Sequence, residues 1–244
     1  MLEVCCGSYE DAKNAERGGA DRIELNSALY LGGLTPSIGT LELIKENLSI
    51  ETVVMVRPRG GGFYYTEEEY EVILCDAKQF LQKGCDGIAF GFLNENRTVD
   101  VSRTKKMVDL IRSFDKEPVF HRAFDVTEDM EEAMEQIIAC GCTRLLTSGQ
   151  MPTAMAGIAN LTWLHEQYGK SIDFVAGSGV NETNAQILMK QTGILSLHSS
   201  CKAWQMDVTA EGKNVSFGFQ SDLPKQYDVV SSEKVRELAN IMKL

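Results

Sequence analysis

Short runs of apolar and β-branched residues alternate along this chain with longer stretches of helical periodicity, and the alternation recurs with a period of about one strand plus one helix. Leu2 to Cys6, Thr52 to Arg57 and Val119 to Phe124 are three such runs. Five more follow a glycine near a helix end: Gly19 before Ala20 to Leu25, Gly84 before Cys85 to Phe90, Gly141 before Cys142 to Leu146, Gly169 before Ser171 to Val175, and Gly193 before Ile194 to Leu197. Helix starts are marked by Thr66 with Glu69 three residues on, and by Thr127 followed by Glu128 and Asp129. Alternating strands and helices imply a parallel sheet. Eight near-equal units without a break in composition predict closure into a (β/α)₈ TIM barrel spanning residues 1–244 as one domain, in preference to an open doubly wound sheet. One stretch is irregular. Lys202 to Asp228 carries Trp204, Met206, Phe217 and Phe219 among polar residues, which predicts a long ordered β8α8 excursion packed on the barrel mouth or on a partner, and so admits a homo-oligomer.

In a barrel the outward strand residues pack under helices and are apolar, so polar residues at period two mark the interior. Glu3 and Cys5 then point inward on the first strand, Glu24 and Asn26 on the second, Arg57 with Arg59 just beyond on the third, and His198 with Ser200 on the eighth. Strand C-terminal ends lie at the mouth, where barrel enzymes place their sites. That group is Cys5, Asn26, Arg57, Arg59, Asp125, Ser148 and His198, with Glu3 and Glu24 deeper and available to pair with arginines. The fifth strand does not parse cleanly: His121 and Asp125 share one parity and Arg122 the other. His121 and Asp125 are expected to face in, with Arg122 a structural partner at the rim. The competing account of the whole set is an ion-paired barrel core.

Charge and cysteine content narrow the partners. A net charge of −11 disfavours nucleic acid and anionic membranes. The chain enters an apolar strand at once, with neither a signal-peptide nor a membrane-span pattern. Seven cysteines, two of them adjacent, suggest reduced thiols in a cytoplasmic protein rather than a disulfide framework. Thiolate is the preferred ligand for Cu(I), and Cys5 is the best placed of the seven; Cys201, just after the eighth strand, lies near the mouth with its direction open. Cys6 has the outward parity, while Cys85, Cys140 and Cys142 sit at helix-to-strand joints on the opposite face, where packing explains them. After the seventh strand, Gly177, Ser178 and Gly179 lead towards a helix and offer backbone N–H groups to an anion, or simply a tight turn. The run lacks a dinucleotide fingerprint, and neither a nicotinamide, a flavin nor a nucleotide motif occurs elsewhere.

Seven ordered blocks also resemble the CutC family: Glu3-Val4-Cys5-Cys6, Gly18 to Leu25, Gly32 to Ser37, Arg57-Pro58-Arg59-Gly60-Gly61, Phe120 to Asp125, Leu146 to Gly149, and His198-Ser199-Ser200. The resemblance implies a barrel fold, a cytoplasmic location and Cu(I) binding through cysteines in a copper-homeostasis role. Cys5 matches the first family cysteine. Asn26 stands where the copper-binding pattern has the second, so the implied two-thiolate site is incomplete and copper would bind more weakly or recruit Cys201 or a methionine. Two functional expectations follow. The first is a copper-handling protein with Cys5 as metal ligand. The second is an enzyme acting on a small phosphate- or carboxylate-bearing molecule, with Glu24, His121 and His198 as candidate catalytic groups. Arg57, Arg59, Asp125, Ser148, Gly177, Gly179, Ser199 and Ser200 would then bind the anion.

Overall fold

The computed structural model describes residues 1–218 and 225–243. Eight parallel strands close into a barrel in sequence order: β1 (Leu2–Cys6), β2 (Arg22–Leu25), β3 (Glu51–Met55), β4 (Gly87–Phe90), β5 (Glu117–Phe120), β6 (Arg144–Thr147), β7 (Asp173–Ala176) and β8 (Ser196–Ser199). β1 closes the ring against β8, with Glu3 opposite His198, and pairs with β2 so that Cys5 lies opposite Glu24. The helices are α1 (Tyr9–Gly18), α2 (Ile38–Asn47), α3 (Glu67–Gln82), α4 (Val101–Arg112), α5 (Met130–Cys140), α6 (Ile158–Tyr168), α7 (Ala185–Thr192) and α8 (Ser232–Ile241). The TIM-barrel expectation holds.

Strand residues divide by parity into two apolar layers. Val54, Ile88, Phe120 and Leu145 join the layer between barrel and helices, while Val53, Met55, Ala89 and Val119 form a separate cluster inside the ring. Each fully buried side chain of this size contributes about 1.5–3 kcal/mol, so the outer layer is the main source of stability. The inner cluster covers only part of the bore. The other interior positions include Leu146 and the polar Glu3, Cys5, Glu24 and His198.

Local signals set the element ends. Thr66 and Glu69 form a complete capping box at α3. At α5 the cap is Asp129, whose carboxylate takes the Glu131 and Glu132 N–H groups, so the expected start at Thr127 lies two residues early. β5 also stops earlier than its apolar run. His121 Nδ1 accepts from the Ala123 N–H at 3.1 Å and turns Arg122–Val126 into a 3₁₀ helix, so period-two parity ends at His121.

After β8, the strands β9 (Lys202–Met206) and β10 (Gln226–Val230) form an antiparallel ribbon. Its base is tied to α1, because Asn14 donates to the Val230 carbonyl and the Val230 N–H donates to Asp11. The ribbon brings Lys202 to the mouth, whereas Met206, Val208 and Phe217 are exposed. Phe219 lies outside the described residues. Among the described residues no helix is long and apolar enough to cross a membrane.

Candidate active site at the barrel mouth

A cavity of about 370 Å³ opens at the C-terminal ends of the strands. Cys5, Glu24, Arg57, His121, Arg122 and His198 line it, with Ser178, Gly179, Ser199, Ser200 and Lys202 along the β7–β8 side.

On one wall β1, β2 and β8 bring together a hydrogen-bonded cluster. The Cys5 thiol points at Glu24 Oε2 at 4.0 Å, and Asn26 Nδ2 donates to both, at 3.4 Å to sulfur and 2.9 Å to the carboxylate. His198 Nδ1 is 2.8 Å from Glu3 Oε1. Cys5, Glu24 and His198 each present one ligand-type atom within 4.8 Å of the others. Burial pushes the Cys5 thiol up, against the pull of His198. Burial likewise raises Glu24, although His198 draws it down. Burial opposes charge on His198 as well, but hydrogen bonds to Cys5 and Glu3 and the Glu24 carboxylate outweigh it and hold its pKa well above the ordinary value. These directions favour a protonated Cys5 thiol, a Glu24 carboxyl more basic than usual and a charged His198.

The other wall carries donors. Arg57, from the end of β3, gives Nη1 to the Leu31 and Gly33 carbonyls and Nη2 to that of Gly61, and its guanidinium lies over Phe63. Among the described residues no carboxylate lies within ion-pair distance of it, and its Nε is buried without a partner. His121 is 3 % exposed. Burial and the nearby Arg57 charge pull its pKa down to about 3, so the ring is neutral. Because Nδ1 accepts from Ala123, the proton sits on Nε2, which has no partner. The Nδ1–Cε1 edge packs close to Gly91 and Ala123, where an added Gly91 Cβ would come within 2.7 Å of it, and the ring forms part of the cavity wall with Nε2 buried.

Several expected site residues lie elsewhere. Arg59 does not enter the cavity: it forms an ion pair with Glu69 at 2.5 Å and donates to the Tyr64 carbonyl, because the chain turns away after Pro58. Asp125, expected to face in, is carried out of the bore by the 3₁₀ turn. Its carboxylate is saturated by Arg122, by Ser148 through N and Oγ, and by Thr147 and the Gln150 N–H. Ser148 is consumed in the same knot, donating also to the Met151 carbonyl. Arg122 is the structural partner of Asp125 and Ser148, yet it lines the cavity as well. Gly177 spends its N–H on Thr147, and what it supplies is room, since a Cβ there would lie 2.7 Å from Leu146 Cδ1. Gly179 lines the cavity, but α7 begins only at Ala185, so the glycine run is a loop ahead of the helix. Ser199 and Ser200 line the cavity, with the Ser199 hydroxyl already donated to Val180. Cys201 is buried behind β8, outside the Cys5 cluster. Two groups went unmarked in these roles: Glu3, which orients His198, and Lys202, whose position directly after the β8 serines was the available signal.

The closed parallel barrel, with titratable groups converging in a cavity at its mouth, places the protein among the TIM-barrel proteins. The CutC family model matches residues 1–203, and the chain belongs to that family. It is 46 % identical over 197 residues to a Treponema denticola family protein CutC, covering 81 % of this chain and 79 % of that protein. It is 38 % identical over 247 residues to the copper homeostasis protein cutC homolog of Homo sapiens, covering 100 % and 89 %. The crystal structure of the Streptococcus agalactiae CutC protein superposes with a TM-score of 0.77 at 28 % identity, over 82 % of this chain and 98 % of that one. A Thermotoga maritima phosphoribosylanthranilate isomerase gives a TM-score of 0.58 at 14 % identity, covering 100 % and 98 %, which speaks for the fold alone.

Proposed function

We propose that the mouth binds a small molecule bearing a phosphate or carboxylate, and that Glu24 and His198 move protons on it. The observation that carries this reading is Arg57, a buried guanidinium in the cavity wall that no carboxylate among the described residues meets. Arg57 Nε–H and His121 Nε2–H are also buried without an acceptor, at a cost of about 1–3 kcal/mol each, which an anion that draws either side chain towards the cavity would offset. Arg57, Arg122 and Lys202 make the lining locally positive in an acidic chain. Glu24, raised by burial, is the base; the His198 imidazolium held by Glu3 is the acid; neutral His121 donates to a developing oxyanion. Seven free cysteines support a reduced, cytoplasmic setting. Protein purified from cells, denatured and searched by untargeted mass spectrometry, should release an anion enriched over Arg57→Gln. Failure to enrich any anion would overturn the reading.

A copper role, carried by the family name, is the second reading, and the Cys5, Glu24 and His198 cluster favours it. The donor set fits Cu(I) only in part. Cys5 Sγ and His198 are suitable soft and borderline donors, but Glu24 is hard, and at the second family cysteine Asn26 aims an N–H donor at the sulfur. Competition with a Cu(I) chelator tests this: Cys5→Ser should lower any affinity and Asn26→Cys should raise it, since the two side chains already meet. Equal affinity in wild type and Cys5→Ser removes Cys5 from any copper site.

A further inference from the structure

We infer that Cys5 is a nucleophile that adds to the carbonyl carbon of a small anionic carbonyl compound held in the mouth cavity. The anionic half of this statement rests on the function proposed above; the nucleophilic half stands on its own geometry. Of seven free cysteines, Cys5 alone lines the cavity, and its thiol is aimed at the Glu24 carboxylate. Asn26 Nδ2 donates to the sulfur and to the same Glu24 oxygen, so one amide fixes donor and acceptor together and stabilises negative charge on sulfur. His198, held through Nδ1 by buried Glu3, completes the cluster within 4.8 Å. A second sign of a ligand is His121, 3 % exposed, which lines the same cavity and whose neutral Nε2–H has no partner. A nucleophile with its base, an orienting partner and a separate oxyanion donor form one constellation across the bore.

The step balances without another reactant. The thiol proton passes to Glu24 Oε2 as the sulfur lone pair forms the C–S bond. The carbonyl π pair moves to oxygen, which accepts from His121 Nε2–H and then takes the proton back from Glu24. The product is a thiohemiacetal, reversibly formed.

Alkylation by iodoacetate and iodoacetamide tests both halves, because sulfur displaces iodide from either reagent while only the first carries a charge for Arg57. Cys75, exposed on α3, is the internal control. Peptide mass spectrometry at neutral pH should show Cys5 reacting about ten-fold faster with iodoacetate than with iodoacetamide, a preference absent at Cys75. Glu24→Gln should slow Cys5 by about ten-fold with both reagents and leave Cys75 unchanged. Asn26→Ala should slow it in the same direction, which keeps the test decisive if Glu24→Gln does not fold. Arg57→Gln should remove the preference for iodoacetate. A Cys5 that reacts more slowly than Cys75 with both reagents overturns the nucleophile, whether or not anions bind. A fast Cys5 without reagent preference upholds the nucleophile and overturns the anionic substrate.

Discussion

The two ends of the barrel bore both bury arginine, but they satisfy it differently. At the N-terminal base, Arg22 is surrounded by acid: it pairs with Glu117 at 2.9 Å, with Glu3 at 3.5 Å and with Glu51, while Arg144 meets Glu117 at 3.0 Å. At the mouth, Arg57 meets backbone carbonyls, the face of Phe63 and the buried Tyr65 hydroxyl, but no carboxylate among the described residues. The base is an acid-rich ion network in which Arg22 and Arg144 are neutralised by carboxylates, although Nε and Nη1 of both lack a hydrogen-bond partner. At the mouth the Arg57 charge is met by no carboxylate of the described residues, which is what the proposed anion would supply. Buried arginine alone therefore does not mark a site; buried arginine without a carboxylate, in the wall of a cavity, does.

Breaking the base should have the largest effect. Arg22→Ala takes the central cation from Glu3 and Glu117 and leaves them only His198 and Arg144, and equilibrium urea unfolding should show a loss of about 3 kcal/mol. Retention of wild-type stability would mean that the base network is not what holds that end.

The ends should also respond to pH with opposite slopes. Burial raises Glu117 from 4.5 to about 7, so the folded state holds its proton more tightly than the unfolded chain. Its contribution is full below about pH 4.5 and is lost as pH rises through about 7. His121 is lowered from 6.5 to about 3, so its contribution is full above about pH 6.5 and is lost as pH falls through about 3. Unfolding free energies from urea titrations across this range should fall on both sides, by about 3–5 kcal/mol at most on each. Glu117→Gln should flatten the alkaline limb, and His121→Asn, whose amide oxygen still accepts from Ala123, the acid one.

The smallest stability effect belongs to Arg59→Gln, which removes a half-exposed pair with Glu69 and should cost about 0.2–1 kcal/mol by the same unfolding measurement.

How much of this was legible in sequence depends on how local the cause is. Strand and helix alternation exposed the barrel, and period two placed Cys5, Glu24 and His198 on one face because β1, β2 and β8 are regular up to those residues. The same rule misplaced Asp125, because the His121 side chain caps a 3₁₀ turn that ends the strand period. Arg57 and Arg59 looked equivalent at alternate positions. Only the chain path after Pro58, and the Glu69 waiting at the start of α3, separate them. Glu3 was visible as an inward acid, but its bond to His198 depends on barrel closure, which joins residues 195 positions apart.

That pair of arginines supplies the most direct test. Thermal melting of wild type, Arg57→Gln and Arg59→Gln should be followed against a panel of phosphorylated and carboxylated metabolites. A ligand at about 100 times its Kd adds about 2.7 kcal/mol, or about 5–10 °C in a chain of this size. The account predicts at least one anion that protects wild type and Arg59→Gln in this range and fails to protect Arg57→Gln. Protection that survives unchanged in Arg57→Gln, or no protection of wild type by any anion, would contradict it.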